Sequence, residues 1–133
     1  MATIQIPYDN ISQSVNIPDG LLGETVVPNQ LLEHKDLSQL IETQLSCPVD
    51  SLPLEEIALP NQTVSIIIDD ISRPTPTADI LPQVLTRLIK AGITRKNISI
   101  IIALGSHRPL SNSEIISKVG ADISCDYHIV NVS

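Results

Sequence analysis

Two apolar runs, each breaking abruptly into a polar cluster and separated by a helical pattern, constrain this chain more than any other feature. The first, Val-Ser-Ile-Ile-Ile (64 to 68), is β-branched apart from Ser65 and has no polar alternation. That pattern predicts a strand covered on both faces, the habit of parallel sheets. At Asp69 the chemistry reverses. Asp-Asp-Ile-Ser-Arg-Pro-Thr-Pro (69 to 76) brings two carboxylates, two hydroxyls and an arginine before the next apolar stretch. The second run, Asn-Ile-Ser-Ile-Ile-Ile-Ala-Leu (97 to 104), ends in Gly105, Ser106, His107, Arg108 and Pro109. A buried strand that ends this way ahead of a helix delivers its polar groups to the carboxyl edge of a sheet, where open α/β folds bind ligands.

The rest of the chain fits around these runs. Thr3 to Tyr8 alternates and Gln13 to Ile17 resumes in phase, which predicts a β-hairpin around Asp9-Asn10, closed by Pro18-Asp19-Gly20. Thr25 to Val27 adds a short strand before Pro28, and Leu31 to Leu45 has helical spacing that Pro48 ends. A connector with Pro53 and Pro60 flanks Leu54 to Ile57. A helix is expected from Thr75 or Thr77, capped by a hydroxyl, with Pro76 in its first turn and Gly92 at its end. Ile80, Leu81, Val84, Leu85, Leu88 and Ile89 form its apolar face, and Pro82 predicts a slip or kink. Ser111 to Glu114 reads as a capping box for a helix through Val119, closed by Gly120, and Cys125 to Val132 as a third strand.

Strand, helix, strand, helix, strand with short links implies an α/β fold: a Rossmann-like βαβαβ parallel sheet with an N-terminal antiparallel β-hairpin. The expectation is a single Rossmann-like domain over residues 1–133. Its last strand has no following helix to cover it, which points to the N-terminal portion of a longer architecture.

Composition narrows the function. Aromatic residues are 2% of the chain, Tyr8 and Tyr127 alone, so the core must be aliphatic and stacking platforms for single-stranded nucleic acid are missing. A formal net charge of −7 repels phosphate backbones, which argues against any nucleic-acid partner and confines anion binding to a local pocket. No apolar run approaches the roughly 20 residues of a membrane helix, and the amino terminus lacks signal-peptide character. Cys47 and Cys125 have no metal or redox spacing and read as buried free thiols of a reducing compartment. A cytoplasmic location is expected, and the sequons at Asn10, Asn61, Asn97 and Asn131 are read as chance matches.

If the two strands are neighbours they lie about 4.8 Å apart, and their polar ends line one crevice. His107 is the side chain there able to exchange a proton near neutral pH. Arg73 and Arg108 offer planar forks for a carboxylate or phosphate, and the amides and hydroxyls around Ser72, Thr75 and Thr77 add an anion-binding helix start. Blander readings stand beside these: a loop ion pair between Asp70 and Arg73, helix caps at Thr75, Thr77 and Ser111, and a His107 bonded only to backbone. His128 is read as a structural residue in mid-strand and His34 as a surface residue. Asp69 and Asp70, adjacent in sequence, point different ways and make a poor acid/base pair. No metal-ligand cluster, dinucleotide glycine fingerprint or phosphate-loop motif is present.

Asp-Asp-Ile-Ser-Arg-Pro-Thr-Pro (69 to 76), followed by Ala-Leu-Gly-Ser-His-Arg-Pro-Leu-Ser (103 to 111), resembles the amino-terminal domain of the nickel-dependent lactate racemase family. The intervening helix and the Ala91-Gly92-Ile93 turn fit as well. The resemblance is strongest over residues 60–115. It implies a racemase or epimerase of 2-hydroxy acids, in which a nickel-pincer nucleotide takes a hydride from the substrate's Cα while a histidine takes the hydroxyl proton. By the resemblance His107 is one of two acid/base histidines and therefore catalytic. Asp70 and Arg73 match the Asp-x-x-Arg pair that contacts cofactor and substrate, with Ser72 and Thr75 as phosphate contacts. Arg73 would orient the substrate carboxylate or the cofactor phosphate, and Arg108 joins the same binding group. No metal ligand is assigned.

In the family, the lysine that tethers the cofactor, the histidine that ligates nickel and the second catalytic histidine lie further along. Relatives also continue the third strand into Asn-His-Asp, whereas here Asn131 is followed by Val132 and Ser133. The expectation is that these residues alone neither bind the nickel-pincer nucleotide nor racemise a substrate. A complete enzyme would need the carboxyl-terminal portion, and self-association with a second copy of the chain is a further expected partnership. Two other readings stay open: a stand-alone small-anion or nucleotide-binding module without catalysis, and an assembly domain whose uncovered strand pairs with a partner.

Overall fold

Parallel pairing of the two isoleucine-rich runs organises the structure, a computed structural model that describes residues 1–8, 11–24, 26 and 36–131. The chain divides into two compact units, Met1–Glu33 and His34–Ser133. In the first, β1 (Ala2–Tyr8) and β2 (Ile11–Ile17) pair antiparallel, with Ile4 opposite Val15. One face of this ribbon is a polar ladder in which the Thr3 hydroxyl donates to Asn16 at 2.8 Å and the Gln5 amide to Ser14 at 2.8 Å. The predicted hairpin is therefore present. Its Asp9-Asn10 turn, Thr25 and Val27 of the expected short strand, the start of the helical pattern over 31–35 and His34 lie outside the described residues.

The second unit runs α1 (Leu37–Ser46), α2 (Leu54–Ile57), β3 (Val64–Asp69), α3 (Thr77–Lys90), β4 (Ile98–Ala103), α4 (Asn112–Val119), α5 (Ala121–Asp126) and β5 (His128–Val130). The strands form a parallel sheet in the order β3-β4-β5, so the expected α/β architecture is observed. Sequential order with right-handed crossovers puts the connecting helices on the same side of the sheet. The core agrees: Leu81, Leu85 and Leu88 of α3, Val119 of α4 and Ile123 of α5 pack on Ile98 and Ile100, with Ile66 and Ile129 beside them.

That arrangement corrects one expectation. β3 is an edge strand covered on one face only, and its Ile67 is 71% exposed. A β-branched run without alternation looked two-sided, yet the helices reach only its even-numbered residues.

Helix α3 runs unbroken through Pro82, whose position removes one early amide donor without stopping the helix. Gly92, at φ +90°, ends it; a β-carbon there would also sit 3.1 Å from Pro60. No hydroxyl caps its start: Pro76 occupies the cap position, and the Thr77 amide turns back to the Thr75 carbonyl at 2.8 Å. The buried Arg87 fastens α3 to its neighbours through Glu42 (2.7 Å), Ser46 (2.7 Å) and Glu55 (2.9 Å).

Residues 121–126 depart from the strand expected from Cys125 onward, forming α5 before a three-residue β5. Ile123 faces the core, and Cys125, two residues and about 200° further round, faces out. Cys47, just past α1, is exposed as well, so the expected burial of both thiols does not occur. His128 opens β5 rather than standing in mid-strand, and it is exposed. Among the described residues no helix is long and apolar enough to cross a membrane.

The one-sided sheet makes a quantitative forecast. Ile100 is fully buried and Ile67 is not. In urea unfolding, Ile100→Ala should cost about 2–5 kcal/mol and Ile67→Ala no more than about 0.5 kcal/mol. Similar costs at both positions would mean that the second face is covered.

Candidate functional site

The parallel register sets Asp69 opposite Ala103, so the two strands end level and the loops that follow are neighbours. Each loop turns at once. After β4, the His107 amide donates back to the Leu104 carbonyl at 3.0 Å, closing a turn in which Gly105 adopts φ +58°, a conformation that a side chain would strain. After β3, the Arg73 amide returns to the Asp70 carbonyl at 3.2 Å. Beneath both, Ile102, Leu104 and Leu110 pack with Ile68, Ile115 and Ile129, giving the rim a solid floor. Asn131, at the end of β5, fixes the second loop from its far side: its amide donates to the Leu110 carbonyl at 2.7 Å and its oxygen accepts the Leu110 N–H at 2.9 Å.

Asp70 joins the loops. It is 5% exposed, and its Oδ1 accepts from the Ser72 hydroxyl at 2.6 Å and the Ser72 amide at 3.2 Å. Its Oδ2 meets His107 Nδ1 in a short hydrogen bond. The Ser72 hydroxyl and then His107 hold the Asp70 carboxyl at about 2, below its ordinary 3.8. An ionised carboxylate only accepts, so Nδ1 carries the proton, and in the neutral form of the ring Nε2 is the nitrogen that keeps its lone pair. The His107 side chain is 58% exposed and lines a hollow of about 280 Å³ with Asp70, Ile71, Ser72, Arg108 and Leu110. A basic nitrogen of defined tautomer facing a small cleft is the equipment of a general base.

The other expected residues distribute unevenly. Arg73 is exposed and makes no side-chain hydrogen bond or ion pair among the described residues, so no Asp70–Arg73 loop salt bridge forms; it does not line the hollow. Arg108 lines it, but its fork is occupied: the terminal nitrogens donate to Glu114 at 2.8 and 2.9 Å and to the Pro109 carbonyl at 3.0 Å. The expected free fork is thus a brace on the capping box, where Ser111 and Glu114 bond reciprocally as predicted. Arg108, then Ser111, hold the Glu114 carboxyl at about 2, below 4.5. The Thr75 hydroxyl donates to Asp69, and Ser72 to Asp70, so both hydroxyl protons are already engaged. The helix start expected to receive an anion is tightened, with the Thr77 and Asp79 amides bonded to Thr75 and Pro76. Asp69 and Asp70 diverge as expected. Among the described residues no three metal-ligating side chains converge.

Two residues escaped the sequence reading. Asn131 counted there as a chance sequon and as the place where the third strand departs from its relatives, with no role at the rim. Lys118 is buried on α4 and its ammonium lies 2.7 Å from Asp69 Oδ1; with Thr75 it holds the Asp69 carboxyl below its usual range. A lone lysine on the face that carries Ile115 and Val119 was the available signal.

Comparison with known proteins agrees with the α/β fold. A family profile described as the lactate racemase N-terminal domain matches residues 8–133. The lactate racemase of Lactiplantibacillus plantarum is 33% identical over 132 residues, which is 98% of this chain and 31% of that protein. The lactate racemase of Thermoanaerobacterium thermosaccharolyticum is 28% identical over 126 residues, 92% of this chain and 29% of that protein. The solved apoprotein structure of lactate racemase from T. thermosaccharolyticum superposes with a TM-score of 0.72 at 26% identity, covering 97% of this chain and 30% of that one. The chain therefore spans less than a third of the length of these relatives.

The lowered Asp70 pKa has a signed consequence. A carboxylate whose acidity is strengthened by folding contributes stability that is complete above its unfolded value and lost as pH falls through the folded one. Stability from Asp70 should therefore be intact above pH 3.8 and disappear toward pH 2. A series of urea midpoints from pH 5 down should fall less steeply in Asp70→Asn than in the parent chain; parallel series would exclude Asp70 from the acid transition.

Proposed function

The chain belongs to the lactate racemase N-terminal domain family, and from that premise we propose that it supplies one wall of a 2-hydroxy acid racemase or epimerase site, with His107 as one of its proton-transfer residues. The observation that carries this reading is the Asp70–His107 contact across two adjoining strand ends, which leaves the second imidazole nitrogen available beside a hollow. Racemising a 2-hydroxy acid by hydride transfer requires removing the hydroxyl proton and the Cα hydride, then returning the hydride to the opposite face and the proton to the oxygen. Nε2 of His107 takes the hydroxyl proton. Asp70 keeps the ring turned and stabilises the imidazolium that results. Arg73, whose fork has no partner among the described residues, receives the carboxylate or a cofactor phosphate as a two-point contact.

In this reading the nickel-pincer nucleotide of the complete family supplies the hydride acceptor. Its fit to the present residues is partial. The Arg73 fork suits a phosphate, the hydroxyls of Ser72 and Thr75 would have to turn from Asp70 and Asp69 to donate to one, and the described residues offer the metal no converging set of ligands. Nickel ligation and attachment of the nucleotide are therefore assigned to the part of the relatives that this chain does not span, and we expect the isolated chain to be inactive. The family's carboxyl-terminal portion is the partner this requires. Free thiols at Cys47 and Cys125 favour the cytoplasm as its compartment.

The test uses a complete enzyme containing this segment, loaded with cofactor. His107→Ala should lower lactate racemisation by at least about a hundredfold, in line with loss of a general base, while the cofactor's absorbance and nickel content stay near the parent's. Turnover that survives the substitution would remove His107 from the chemistry.

A further inference from the structure

One side chain at this rim has no role in the site as described so far. Lys118 is 4% exposed, yet it sits on the inward face of α4 between apolar neighbours. Its ammonium makes two contacts, both to the segment that leaves β3: Asp69 Oδ1 at 2.7 Å and the Arg73 carbonyl at 3.2 Å. The other Asp69 oxygen accepts the Thr75 hydroxyl. A single buried charge thus ties the first residue of the polar loop, its arginine and, through Asp69, the residue two beyond.

Stability is a weak reason for such an arrangement. Desolvating a lysine and a carboxylate costs about as much as their attraction returns, and apolar residues of similar volume often serve as well. What a point charge with three donors does better than a methyl group is fix an oxygen in space. The oxygen fixed here is the backbone carbonyl of Arg73. Because the Arg73 guanidinium has no side-chain partner among the described residues, its aim depends on how that backbone is held.

We infer that Lys118 is a positioning residue that aims Arg73 at an incoming carboxylate or phosphate, acting through Asp69 and the Arg73 carbonyl. The inference deepens the proposed function and rests on its reading of Arg73 as the anion handle. Lys118 touches no reacting group, so its effect must pass through Arg73 and vanish when Arg73 is gone.

A double-mutant cycle on the 133-residue chain decides this. L-lactate and inorganic phosphate are titrated separately, following the backbone amide resonances of Ser72 and His107 in the parent, Arg73→Ala, Lys118→Met and the double variant. Lys118→Met should weaken binding of the responding anion about tenfold, and in the Arg73→Ala background should weaken it no further. A response to lactate alone marks the substrate carboxylate as the ligand, a response to phosphate alone marks a cofactor phosphate, and either supports the inference. Losses that add in the double variant, or unaltered binding in Lys118→Met, overturn it while leaving Arg73 as the handle. Unaltered binding in Arg73→Ala, or no response to either anion in the parent, overturns the reading of Arg73 itself. Should Lys118→Met not fold, Asp69→Asn frees the ammonium from its carboxylate at equal volume and is carried through the same cycle; a loss that vanishes in the Arg73→Ala background supports the inference, and an additive loss or none overturns it.

Discussion

The site depends on one buried carboxylate satisfied from two loops. Asp70 lies in a chain of net charge −7, where an ionised group out of water needs local compensation. Three donors supply it: the Ser72 amide and hydroxyl from its own loop and the His107 ring from the next strand's loop. Removing the histidine contact would leave Asp70 oxygens partnered from one side only. The bond that joins Ser72 in keeping the carboxylate ionised also decides which imidazole nitrogen carries the proton. Charge stabilisation and tautomer selection are one interaction.

Around that centre the loops are held by charges used as braces rather than as ligand contacts. Lys118 and Asp69 fix the exit of β3, Arg108 and Glu114 fix the start of α4, and Asn131 clasps Leu110 through both its amide groups. Each attachment comes from a regular element and grips a loop. This is the support that a positioned side chain needs if its rotamer is to be set before a ligand arrives. Arg73 is the exception, braced at its backbone and, among the described residues, unattached at its tip.

Much of this was legible in the residues. The isoleucine runs, the helix between them, the capping box at Ser111 and the meeting of the two polar clusters all follow from periodicity and from the rule that ligands bind at the carboxyl edge of such sheets. What periodicity could not supply was the partner across space. Whether Val64 to Ile68 is central or at an edge depends on strand order, and a β-branched run reads the same in both positions. Arg108 looked like a free fork because its partner, Glu114, was already accounted for as a cap; the carboxylate does both jobs. Lys118 was passed over because a lysine on an apolar face can be buried only with a partner, and that partner, Asp69, lies 49 positions earlier in the chain. The six residues of α5 are too few for a helical period to declare itself before the chain re-enters the sheet.

The one-sided sheet bears on what the site can discriminate. With helices on a single face, the row formed by Ile67, Ile101 and Val130, paired in direct register, lies on the other. The hollow at the rim is lined by six residues drawn from two loops, and of these only Ile71 and Leu110 present apolar side chains. Under the proposed function, these loops can grasp the part that all 2-hydroxy acids share, a carboxylate next to a hydroxyl. They offer almost nothing shaped to a substituent on Cα. Discrimination among 2-hydroxy acids therefore belongs to a wall that these two loops do not build. Proton handling and anion capture belong to the wall that they do.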